Sequence, residues 1–64
     1  MNPLAMTYVW QMADGSWWIS PLGGRGTQAM LETSKAMRSA GLDRSFATRA
    51  EADRALIEAM NTKA

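Results

Sequence analysis

The chain contains no cysteine and no histidine. Disulfide staples are therefore impossible, and a zinc site built on thiolate or imidazole is excluded. The commonest general base and the thiol nucleophile are missing as well. The expectation is a non-enzymatic protein with no metal and no cofactor. The carboxylates do not replace what is lacking: Asp14 belongs to a turn, Glu51 to a helix cap, and Asp53 and Glu58 to solvent-facing helical positions. No serine has the strand-turn-helix setting of a nucleophile elbow, because Gly15-Ser16-Trp17 reads as part of a tight turn. Charge of one sign is also lacking. Seven Lys and Arg against six Asp and Glu leave a net charge of +1, which is neither the basic footprint of a nucleic-acid binder nor the acidity of a DNA mimic. No apolar run approaches the roughly 18 residues that span a bilayer. Met1 to Met6 lacks the basic-then-apolar form of a signal peptide, so the expected location is cytoplasmic, without a membrane partner.

What remains must fold as one domain of 64 residues. A domain of that size buries only about 60% of its unfolded surface, so it needs unusually good packing or a partner. Three tryptophans and six methionines supply large, adaptable apolar groups suited to either. All three tryptophans and the only tyrosine fall between Thr7 and Pro21. That stretch centres on Asp14-Gly15, a strong signal for a two-residue hairpin turn of type I′. Such a turn predicts the ladder Met12 with Trp17, Gln11 with Trp18, Trp10 with Ile19 and Val9 with Ser20. Alternation then places Tyr8, Trp10, Met12, Trp17 and Ile19 on a core face. Thr7, Val9, Gln11, Trp18 and Ser20 go to the opposite face, where Trp18 and Val9 are the apolar exceptions.

The rest of the chain reads as α+β: an antiparallel β-hairpin packed on two amphipathic helices, with a short third strand conceivable near Phe46. Residues 1–6 read as a lead-in, 7–21 as the hairpin, 22–26 as a glycine-rich loop, 27–40 as a helix, 42–47 as a connector or short strand and 48–62 as a second helix. Thr27 is a fair N-cap, and Gly41 with Leu42 fits a helix end. Ala29, Met30, Thr33, Ala36, Met37 and Ala40 form the first buried stripe. Thr48-Arg49-Ala50-Glu51 is a capping box, and Ala52, Ala55, Leu56, Ala59 and Met60 form the second stripe. Arg54 and Glu58 are spaced as an exposed helical pair. The glycines of Leu22-Gly23-Gly24-Arg25-Gly26 make either a plain linker or an anion nest with Arg25; the ending of a P-loop is missing.

Asp14-Gly15-Ser16-Trp17-Trp18-Ile19, together with Phe46-Ala47-Thr48-Arg49-Ala50-Glu51-Ala52 and Ala55-Leu56, resembles the small arm-type DNA-binding domains of phage integrases. The resemblance covers about a third of the chain. It implies a three-stranded sheet packed on one C-terminal helix, with the sheet laid in a DNA groove. In size and style the chain also looks like small phage-encoded proteins that block host machinery. Two function classes follow. One is a protein-binding module, an inhibitor or modulator that docks on a host protein or on itself through Trp18, Val9 and Gln11, with Leu31 and Ile57 as further apolar contacts. The other is a small DNA-binding module in which Arg25, Arg44, Arg49 and Lys35 contact nucleic acid beside a stacking Trp. The hairpin carries no Lys or Arg from Thr7 to Leu22, which favours the protein partner and makes any nucleic-acid contact weak. A competing expectation for Trp18 is burial beneath a helix or against the N-terminal lead-in.

Overall fold

The computed structural model describes residues 3–61. Met1 and Asn2 of the expected lead-in, and Thr62 at the expected end of the second helix, lie outside the described residues. The fold is α+β. A 3-10 turn, Pro3–Ala5, precedes strands β1 (Thr7–Gln11) and β2 (Trp17–Pro21), which are followed by helices α1 (Gln28–Ser39) and α2 (Arg49–Asn61). The two strands form one antiparallel sheet.

Asp14-Gly15 does reverse the chain, but in a loop one residue longer than expected. Gly15 donates its N–H to the Met12 carbonyl (3.0 Å), and the Met12 N–H donates to the Ser16 carbonyl (2.8 Å). Gly15 has φ +94°, and no described non-glycine residue has a positive φ. These are the marks of a three-residue hairpin loop, a type I turn closed by a glycine bulge. A type I′ turn would force Asp14 itself into the left-handed region. The longer loop places the only positive φ on glycine, where it is cheapest. It also lets the Asp14 carboxylate accept hydrogen bonds from the Ser16 amide (2.9 Å) and hydroxyl (2.7 Å).

The consequence is a different register. Thr7 pairs with Pro21, Tyr8 with Ser20, Val9 with Ile19, Trp10 with Trp18 and Gln11 with Trp17. A one-residue slip turns one strand over completely. Here β2 keeps its expected sense, with Trp17 and Ile19 facing in, while β1 is inverted. Val9 faces the core, and Tyr8, Trp10 and Met12 face out, 37–44% exposed. The expectation of a buried Trp10 is corrected on this ground.

Both helices lie against the inner face. Leu4, Ile19, Met37, Leu42, Phe46 and Ala52 form the buried core, with Val9, Trp17, Ala36, Ala55, Leu56, Ala59 and Met60 packed around it. Thr27 caps α1 by accepting the Met30 amide (3.2 Å). At its other end Gly41 takes φ +76°, the Leu42 N–H donates to Met37 O (2.9 Å) and the Gly41 N–H to Arg38 O (3.2 Å). That is a full Schellman closure, and it drives Leu42 into the core. The α1 stripe is narrower than expected, because Ala29 and Ala40 are exposed while Thr33 and Met37 are buried. In α2 the Thr48 hydroxyl accepts the Glu51 amide (3.1 Å), and Glu51 reaches back to the Ala47 amide (3.4 Å), one residue beyond the cap. Among the described residues the ion pair of α2 is Arg49 with Asp53, at 3.7 Å, and not the expected Arg54 with Glu58.

Phe46 contributes one bridge rather than a strand. Its backbone exchanges two hydrogen bonds with Trp17 (2.8 and 2.9 Å), and its ring is buried. The N-terminal segment is more than a lead-in. Leu4 is in the core, Thr33 donates its hydroxyl hydrogen to Pro3 O (3.2 Å), Thr7 donates to Leu4 O (2.8 Å), and the Leu22 N–H donates to Met6 O (2.9 Å). No described helix is long and apolar enough to cross a membrane.

Candidate interaction surface

Among the described residues, a two-stranded sheet with both helices on one face leaves the other face without a covering layer. The Cα extents of 30 × 28 × 14 Å leave room for two layers in the thin direction. On the outer face, alternation places Tyr8 and Trp10 of β1, Met12 just beyond it, and Trp18 and Ser20 of β2. Trp10 and Trp18 are directly cross-strand, the arrangement in which aromatic pairs stabilise a hairpin.

Both outer indoles are tethered. Trp10 Nε1 donates to Ser20 Oγ (2.8 Å), and Trp18 Nε1 donates to Ser16 Oγ (3.0 Å). Ser16 Oγ in turn donates to Asp14 Oδ1, so a short relay runs from the turn carboxylate through the serine to the Trp18 ring. The hydrogen bond from the Ser16 hydroxyl, and after it the one from the Ser16 amide, hold the Asp14 carboxyl below its ordinary value. Aromatic side chains fixed in this way lose little further rotamer freedom when another surface covers them.

Of the residues expected to bind a partner, Trp18 is on this outer face and half-buried. Val9 is not: the register turns it inward against the core. Gln11 also lies on the inner side, at the exposed turn end, where its Nε2 donates to Gly15 O (3.2 Å). Leu31 and Ile57 are 54% and 53% exposed on α1 and α2, in the layer beneath the sheet. The outer-face residues missed in the sequence are Tyr8, Trp10 and Met12. The available signal was the third loop position of Ala13-Asp14-Gly15, where glycine suits a bulge.

The three arginines considered for phosphate contact stand on separate segments. Arg25 is at the tip of a turn in which the Thr27 amide and hydroxyl both donate to Gly24 O (3.1 and 2.7 Å). Arg44 sits 4.0 Å over the Phe46 ring and donates to Ser45 O. Arg49 pairs with Asp53. Among the described residues no group of His, Cys, Asp and Glu is arranged to hold a metal ion. No protein-family model, curated protein or solved structure matches this chain.

Proposed function

We propose that this chain is a small non-catalytic protein-binding module that docks on a partner protein through the outer face of its hairpin. An inhibitor or modulator of the phage-encoded style is the kind of protein this describes. The observation that carries the reading is the uncovered sheet face bearing Tyr8, Trp10, Met12 and Trp18, with both indoles tethered by serines. Tryptophan and tyrosine dominate interface hot spots because they bury much apolar area at small entropic cost. Charged residues are absent from both strands, so recognition rests on apolar burial and shape.

The test is affinity capture with and without nuclease, followed by calorimetry on the captured partner at low and moderate salt. Trp10→Ser and Trp18→Ala are expected to weaken binding at least about tenfold each. The affinity itself is expected to change little with salt. A partner that is lost to nuclease, binds with a steep salt dependence and responds to Arg25→Ala or Arg49→Ala would replace this reading with the DNA-binding one.

A further inference from the structure

The two edges of the sheet are not equivalent. Along β2, Trp17 already exchanges backbone bonds with Phe46, and Pro21 has no N–H to offer. The same edge borders α1, where Ser34, Met37 and Arg38 line a cleft with Trp18 and Ser20. Along β1 the edge is open. Met12 is bonded to Ser16, and Leu22 to Met6, so antiparallel alternation assigns Tyr8 and Trp10 to the intrachain ladder. The N–H and C=O of Thr7, Val9 and Gln11 then point away from β2. Among the described residues, no backbone or side-chain group bonds to them.

An open edge is ordinarily protected by lysine, proline, a bulge or an inward-pointing charge. Thr7-Tyr8-Val9-Trp10-Gln11 has none of these. It has instead a near-palindromic order, with a polar residue at each end, an aromatic next to each, and Val9 at the centre. We propose that β1 pairs antiparallel with β1 of a second copy about a two-fold axis at Val9, joining the two hairpins into one four-stranded sheet.

The pairing is self-complementary, as a two-fold contact must be. Val9 meets Val9 of the second copy, and Thr7 meets Gln11, in hydrogen-bonded pairs that use the outward-pointing groups. Tyr8 meets Trp10 of the second copy on the outer face, at the closer, non-hydrogen-bonded spacing where cross-strand aromatics interact best. No charged group meets its own image across the axis, because β1 carries no charge. The inference rests on the edge groups of β1 and not on a partner for the outer face, so its failure leaves the proposed function standing.

The experiment is sedimentation velocity on the full chain from low-micromolar to near-millimolar concentration, with far-UV circular dichroism to confirm folding. The 64-residue chain is short enough for chemical synthesis with a methyl group on the Val9 amide nitrogen. That methyl blocks an outward-pointing donor and spares the intrachain ladder. Dimerisation is expected to weaken about thirtyfold or more, since each dimer loses both Val9 bonds. Tyr8→Lys, at an exposed position, places an edge charge beside the axis and is expected to abolish the dimer even if the methylated chain folds poorly. A wild-type chain that stays monomeric throughout, or a dimer indifferent to the variant that folds, would overturn the proposal.

Discussion

Truncating Ile19 and Trp10 in separate variants weighs the two faces of the hairpin against each other. Ile19 is 3% exposed and touches the core formed by both helices. Ile19→Ala removes that packing and leaves a cavity, at a cost of about 2–5 kcal/mol. A 64-residue domain has only about 3–10 kcal/mol of stability in total, so this variant is expected to lose a large share of it and to unfold at a much lower urea concentration. Trp10 is the larger side chain, and in the type I′ register it would be core, with a truncation cost of about 3–5 kcal/mol. In the observed register it is 37% exposed and pairs with Trp18 across the strand. Trp10→Ala then loses a cross-strand aromatic pair worth about 0.2–1 kcal/mol relative to alanine and one exposed hydrogen bond to Ser20. The sum is about 1–2 kcal/mol. Urea denaturation followed by circular dichroism reads both, and Trp10→Ala is expected to keep a cooperative transition. A Trp10→Ala variant as unstable as Ile19→Ala would refute the register.

Three further outcomes are expected. Gly15→Ala places a side chain at φ +94° with no atom within 4 Å of the new Cβ, so the cost is purely conformational, about 1 kcal/mol or more, read as a lowered urea midpoint. Gly23→Ala is the opposite case: its φ is unexceptional, but the Cβ would meet the Met30 nitrogen at 3.0 Å. Overpacking of about 1–3 kcal/mol is expected there, read in the same way. The Asp14 carboxyl is held below its ordinary value, so its contribution to stability is present above the unfolded-state value near 4 and lost as pH falls through the lower folded value. Tryptophan fluorescence should therefore change in that acid range as the Ser16 tether of Trp18 loosens, and Asp14→Asn should remove the step.

The helices were legible in the sequence because their ends are written in local chemistry. Thr27, the Gly41-Leu42 closure and the Thr48 to Glu51 box each satisfy backbone groups within a few residues, and each forms at the expected place. The hairpin was legible as an element but not in register. Asp14-Gly15 fits a two-residue loop and a three-residue loop equally well, and the loops differ by one residue. Hydrophobic patterning pointed the wrong way, because Tyr8, Trp10 and Met12 together are more apolar than Thr7, Val9 and Gln11. The answer comes from a backbone preference, with the positive φ on Gly15 and not on Asp14. The same slip explains the candidate surface: Trp18, on the strand that kept its sense, stays in place, and Trp10 exchanges faces with Val9. The Ser20 tether of Trp10 and the docking of Leu4 depend on contacts between separate segments, for which the local sequence holds no signal.

The register is what puts Tyr8, Trp10, Met12 and Trp18 on one uncovered face, and nuclear Overhauser spectroscopy on the chain in solution tests it most directly. Facing residues of a non-hydrogen-bonded antiparallel pair bring their Cα atoms to about 4.5 Å, so their α-protons give strong cross-peaks. The observed pairing predicts such peaks between Val9 and Ile19 and between Gln11 and Trp17. Strong α-proton peaks joining Trp10 with Ile19, or Met12 with Trp17, would contradict it and return Trp10 to the core.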